Sequence, residues 1–204
     1  VLRASTTIIN ALQNGAKEII PVSTVEFAMK ASSSMFGGQT LLGGERNTKK
    51  IEGFNLGNSP LEYSEENVKG KSVILYTTNG TRAIVKAKFS ANLVVCAFNN
   101  LSAVASYLID KNVNVEILCA GKNNLFCIED VVCAGKLTSE IVKMKDDVEL
   151  TDAAKASVAL GKTFGKSIPK MLAESEHGQL ELLGRLHQAQ GLAVALGPAH
   201  AEIV

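Results

Sequence analysis

No uninterrupted apolar stretch approaches the roughly 20 residues that a membrane-crossing helix requires, and no signal-peptide pattern precedes the first structural segment. A cytoplasmic protein with no membrane partner is therefore expected. A charge excess is also lacking: 21 Lys and Arg nearly balance 20 Asp and Glu, so no global field draws the chain toward nucleic acid. Recognition of an anion must be local. Cysteine is scarce, and Cys96, Cys119, Cys127 and Cys133 include no C-x-x-C pair, which points to buried reduced thiols rather than zinc or a disulfide framework.

Several catalytic motifs are missing. The pairs Gly70-Lys71, Gly161-Lys162 and Gly165-Lys166 invite comparison with a phosphate-binding P-loop, but the glycine required five residues earlier is Glu65, Ala156 and Leu160. No Cys has an Arg six residues later, no D-x-D follows a strand, and neither G-x-S-x-G nor H-E-x-x-H occurs. These absences remove the usual cysteine, aspartate and serine nucleophiles and favour direct attack by water in any hydrolysis.

What is present is enough apolar residue for a substantial core. With 204 residues and 46% hydrophobic content, a single domain spanning 1–204 is expected, with 145–204 as its helical C-terminal part, and the apolar content suits a homo-oligomer. Short β-branched runs at Glu18 to Val22, Thr40 to Leu42, Ser72 to Tyr76, Leu93 to Ala97 and Val113 to Cys119 read as strands buried on both faces. Helical periodicity runs over Ala4 to Leu12, Leu101 to Asp110, Ile128 to Val142, Thr151 to Lys162 and Ile168 to Gln190. The alternation predicts a three-layer α/β/α fold around a mixed, largely parallel sheet. Ser23 and Glu26 fit a capping box before Phe27. A helix starting almost at Val1 suggests a preceding strand, and 191–204 carries no pattern.

Ligands of open α/β sheets bind beyond the carboxyl ends of strands. Thr77-Thr78-Asn79-Gly80-Thr81-Arg82 follows one such strand with three hydroxyls, an amide, a glycine and a guanidinium. Such a loop suits an anion, because helix-start amides favour negative charge and Arg adds a bidentate fork; alternatively Asn79 or Thr81 simply caps the next helix. Glu45 and Glu52 suit metal ligands or bases, and Arg46 and Lys50 suit anion contacts, within a glycine-rich connection from Gly43 to Pro60 that also reads as an exposed charged loop. Glu129 and Asp130 stand where carboxylates either favour a helix dipole or hold a hard cation. Arg3 and Ser5 lie at a strand-to-helix junction, where Ser5 is an anion contact or a cap; His177 reads as a surface or packing residue, and His187 and His200 show no pattern.

Blocks in the same order resemble the 2-phosphosulfolactate phosphatase family. They are Val1-Leu2-Arg3-Ala4-Ser5-Thr6, Leu42 to Arg46, Lys50 to Phe54, Asn58 to Tyr63, Thr77 to Ala83, Asn100, Cys119-Ala120-Gly121, and Phe126 with Glu129-Asp130. The resemblance implies magnesium-dependent hydrolysis of (2R)-2-phospho-3-sulfolactate, a small anionic substrate of coenzyme M metabolism. It implies catalytic roles for Glu45, Arg82 and Asp130, and magnesium held by Asp130, Glu129 and Glu45, with a further Asp expected before Val1. It also implies substrate contacts from Arg3, Ser5, Arg46, Thr77, Thr78, Asn79, Gly80, Thr81, Asn100 and Gly121. Asn55 stands where the family commonly has Asp, Ala97 where it has Ser, and Asn47-Thr48 where it has a glycine-rich pair; after Gly184 the likeness fades. A non-catalytic binder of a phosphorylated or sulfonated acid, or a phosphatase of another small acid, would use the same loop.

Overall fold

The computed structural model describes residues 3–34, 40–176 and 178–179. They divide into two compact units, one spanning Arg3–Val95 and the other beginning at Cys96.

The first unit is a four-stranded mixed sheet. Its strands are β1 (Glu18–Val22), β2 (Thr40–Arg46), β3 (Lys49–Lys50) and β4 (Ser72–Tyr76), in the order β1-β4-β2-β3. Strand β4 is central, parallel to β1 and β2 on its two sides, while β3 turns back antiparallel from β2. The apolar run Val73-Ile74-Leu75 is wholly buried because a parallel strand is covered on both faces. Alternate residues then face different layers. Val73 and Leu75 pack with Ile8 and Ala11 of α1 (Ala4–Gln13), and Ile84 of α4 (Gly80–Ala87) joins that side. Ile74 packs with Ala28 and Ala31 of α2 (Val25–Ser34) on the other. These helices complete an α/β/α sandwich, with the short α3 (Glu65–Val68) leading into β4.

Several local details differ from expectation. Strand β2 continues through Gly43-Gly44-Glu45-Arg46, which carry the composition of a loop. Gly44 explains why: at φ 136° its backbone lies so close to β4 that an added Cβ would stand 1.8 Å from the Tyr76 carbonyl oxygen. The α2 cap is Thr24 rather than Ser23; its hydroxyl accepts the Phe27 amide at 3.1 Å. The connection after β3 is no free loop either. The Asn55 side-chain oxygen accepts the Leu42 amide at 2.8 Å, Leu56 bridges to Gly43, and the buried Tyr63 hydroxyl donates to Gly57 at 2.7 Å. Burial first, and then the Glu62 charge, push the Tyr63 hydroxyl pKa far upward, so it remains a donor. Asn55 keeps the acceptor that an Asp at this position would offer.

The second unit is helical among its described residues: α5 (Leu101–Lys111), α6 (Ile128–Met144), α7 (Asp152–Phe164) and α8 (Ile168–Glu174). The α5 stripe packs on α6, which packs in turn on α7. The expected strands Leu93 to Ala97 and Val113 to Cys119 have no ladder among the described residues, and Val113, Val115, Ile117 and Leu118 are exposed. A β-rich composition specifies a strand only when a partner supplies the ladder. The helix expected from Ile168 to Gln190 is interrupted after Glu174, with 176 and 178–179 again helical; His177 and residues 180–190, together with His187 and His200, lie outside the described residues. Cys127 and Cys133 are buried as expected, but Cys119 is exposed and Cys96 partly so.

Candidate active site

The carboxyl edge of the parallel strands gathers the chemistry of the first unit. Helix α4 starts directly after β4, and α1 runs back toward the start of β1, so both helix N-termini lie at this edge. Gly80 sets their approach by size rather than by positive φ, since a Cβ there would stand 2.5 Å from Ala4 Cβ. Two sets of helix-start amides and two aligned dipoles consequently share one region, the backbone arrangement that favours an anion. Arg82, the third residue of α4, is exposed; Arg3, immediately before α1, reaches the Thr48 carbonyl with its Nη2 at 3.4 Å.

Thr77 and Thr81 lock the loop. The Thr77 hydroxyl accepts the Thr81 amide at 3.0 Å, while the Thr81 hydroxyl accepts the Thr77 amide at 2.9 Å and donates to the Thr77 carbonyl at 3.0 Å. Both are buried, and these bonds hold the turn in shape. Asn79 occupies the N-cap position of α4 without a side-chain cap bond, and Ser5 is half-buried in the first turn of α1.

Glu45 is a buried acid at this edge that accepts three hydrogen bonds. Its Oε1 accepts the Thr78 amide at 2.8 Å, and its Oε2 accepts the Thr48 amide at 2.7 Å and the Thr78 hydroxyl at 3.2 Å. Three donors on one buried carboxylate make it an anchor between β2 and the loop after β4. Arg46, Lys49 and Lys50 surround the hairpin tip and are exposed, as is Glu52.

The hairpin turn itself is strained. Asn47 and Thr48 have φ 53° and 65°, the paired positive values of a two-residue type I′ turn that glycine and asparagine tolerate and a β-branched residue resists. Replacing Thr48 with Gly should stabilise the protein by about 1 kcal/mol, since the left-handed penalty of ~1–2 kcal/mol outweighs the chain-entropy loss. A thermal melt would show a rise of about 2–4 °C for a chain of this length. An unchanged or lower melting temperature would refute the strain.

In the second unit, Glu129 and Asp130 open α6 and are both buried. The Gly121 amide donates to Asp130 Oδ2 at 2.8 Å, so this amide orients a carboxylate. Gly121 takes φ 68° beside the tight turn Lys122 to Leu125, which fixes that amide's direction. The Asn100 side-chain oxygen accepts the Ala97 amide at 2.8 Å, giving it a local structural role before α5. The negative field is felt by Cys127, whose thiol is pushed up to about 12 by burial first and then by Glu129 and Asp130. It stays protonated at neutral pH. Among the described residues, no three His, Cys, Asp or Glu side chains converge as a metal cluster.

The role of Glu45 as a carboxylate anchor, and the stitching of the hairpin to Thr78, carry no sequence signal beyond the residue types themselves. Both depend on the folding back of β3.

A mixed, largely parallel sheet with two helix N-termini at its carboxyl edge and arginines beside them has the arrangement of an α/β protein suited to a small anion. The family model described as 2-phosphosulpholactate phosphatase matches residues 1–202, and the chain belongs to that family. It is 44% identical over 184 residues to a probable 2-phosphosulfolactate phosphatase of Caldanaerobacter subterraneus subsp. tengcongensis, covering 90% of this chain and 76% of that protein. A probable 2-phosphosulfolactate phosphatase of Clostridium botulinum is 40% identical over 177 residues, 87% of this chain and 74% of that one. One of Thermotoga maritima is 45% identical over 157 residues, 77% and 65% respectively. The span matched by the family model extends past Gly184. No helix of the described residues is long and apolar enough to cross a membrane.

Proposed function

We propose that the protein is a cytoplasmic, magnesium-dependent phosphatase that hydrolyses (2R)-2-phospho-3-sulfolactate to 3-sulfolactate and phosphate. The observation that carries this reading is the pairing of the α1 and α4 N-termini against each other through Gly80 and Ala4 at the carboxyl edge of the sheet. A substrate bearing phosphate, sulfonate and carboxylate needs several fixed donors, and helix-start amides supply them without reorganising as charge shifts in the transition state. Arg82 and Arg3 add guanidinium forks suited to phosphate or sulfonate. The Thr77–Thr81 bonds hold the turn in shape and occupy the Thr81 amide, leaving the other helix-start amides to serve an anion.

Magnesium demands oxygen ligands and is commonly held by one or two carboxylates together with water and substrate phosphate. Within the second unit taken by itself, Glu129 and Asp130 are buried carboxylates of the chemical kind such an ion takes. Glu45, already accepting three hydrogen bonds, fits an anchoring role better than a ligand role. The chemistry magnesium would supply to such a reaction is polarisation of a phosphoryl oxygen and a lowered pKa of water.

Phosphate release from phosphosulfolactate, followed with magnesium and with excess chelator, tests both parts. Turnover is expected with the metal and should fall at least ~100-fold without it, the scale of losing a major electrostatic contribution. Turnover that ignores the chelator would overturn the magnesium role, and absence of phosphate release under all metals would overturn the activity.

A further inference from the structure

We infer that Thr78 is a positioning residue: it ties Glu45 to the Asn47-Thr48 turn and, through that turn, sets the Arg3 guanidinium at the anion site. The chain of contacts is continuous within the first unit. Thr78 donates twice to Glu45, from its amide at 2.8 Å and its hydroxyl at 3.2 Å. The same hydroxyl accepts the Asn47 amide at 3.2 Å, and the Thr48 amide returns to Glu45 at 2.7 Å. The Thr48 carbonyl then receives Arg3 Nη2 at 3.4 Å.

Three features separate this latch from ordinary turn chemistry. First, the turn holds Thr48, a β-branched residue, at positive φ, a conformation that persists only when its surroundings over-determine it. Second, Arg3 is itself at φ 70°, so the guanidinium is presented from a strained backbone at the head of α1. Third, the turn points both its amides and a carbonyl toward the site edge, leaving the exposed Arg46, Lys49 and Lys50 around its rim. The hydroxyl at position 78 accepts from the turn at Asn47 and donates to Glu45, the carboxylate that holds the turn at Thr48. Its bonds serve the latch, in place of the substrate contact that the sequence suggests.

The inference rests on the anion-site reading above, and its test separates the two. In the full chain, Thr78→Val removes the hydroxyl at constant shape and Thr78→Ser restores it. Hydrogen exchange at the Thr48 amide, which needs no activity, should be about tenfold faster in Thr78→Val and close to wild type in Thr78→Ser. Inorganic phosphate binding, measured by calorimetry, should weaken about tenfold in Thr78→Val and recover in Thr78→Ser. In an Arg3→Ala background the Thr78→Val effect on phosphate binding should disappear, because both changes interrupt one path. Unaltered exchange at Thr48 would overturn the latch. Faster exchange with unchanged phosphate binding, or a Thr78→Val penalty that persists in full without Arg3, would overturn the positioning role. A wild-type protein that binds no phosphate refutes that role together with the anion-site reading, while the exchange result decides the latch on its own.

Discussion

Gly44→Ala should destabilise the protein by about 3–5 kcal/mol, the sum of a strained φ and an overpacked strand contact. At φ 136° any L side chain is strained, and the new Cβ would also stand 1.8 Å from the Tyr76 oxygen and 2.8 Å from its carbonyl carbon. Neither atom is the end of a flexible side chain. Relief requires β2 to move off β4 where Gly44 pairs with Tyr76, and this disturbs the Gly44 amide bonds to Leu56 and Gly57 as well. Against a typical total stability of about 5–15 kcal/mol, the loss is a large fraction. A fall in melting temperature on the order of 10 °C is expected from the usual 2–4 °C per kcal/mol at this size. Gly53→Ala provides the internal comparison: φ is 81° there but no atom lies within 4 Å, so only backbone strain of about 1 kcal/mol applies. Equal shifts for the two variants would show that close strand approach is not what Gly44 provides.

The sequence made the layers legible wherever a segment's periodicity matched a partner close at hand. Val73-Ile74-Leu75 reads as a central strand and is one, because an apolar run flanked by two similar runs finds its ladders on both sides. Val113-to-Cys119 has the same composition and no ladder among the described residues, so composition alone was insufficient. The hairpin shows the opposite error. Gly43 to Arg46 looks like a loop because glycine and charge weaken strand propensity, yet tertiary contact with Tyr76 demands glycine in the strand itself. At the site, residue types were readable but their duties were not. Thr77, Thr78, Thr81, Asn100 and Gly121 all have hydrogen-bonding capacity suited to a ligand, and each also uses at least one atom within the protein. Spacing reveals that donors follow a strand; only folded geometry reveals which of them remain aimed outward. The backbone amides of α1 and α4 carry no sequence letter at all, apart from the small residues Ala4 and Gly80 that let the helices touch.

Arg82→Ala is the variant expected to cost most in catalysis without unfolding the protein. The side chain is exposed in the first turn of an eight-residue helix and supports no buried cluster, so the melting temperature should move by no more than about 2 °C, within the ±0.5 kcal/mol usual for surface changes. Arg82 belongs to the first turn of α4, the helix end at which phosphate charge would develop under the proposed reading. Loss of one preorganised donor of this kind lowers kcat/KM by about 10²–10³, or roughly 2.7–4 kcal/mol of transition-state stabilisation. Arg82→Lys should recover only part of this, since an ammonium keeps the charge but not the two-pronged geometry. The steady-state constants for phosphosulfolactate would show where the energy acts: a rise confined to KM marks a group that holds substrate and transition state equally, while a fall in kcat marks one that grips the transition state. A loss below tenfold in kcat/KM, about 1.4 kcal/mol, would remove Arg82 from the transition-state contacts. The amides of α1 and α4 would then be left, with Arg3, as the positive groups on which this edge of the sheet depends.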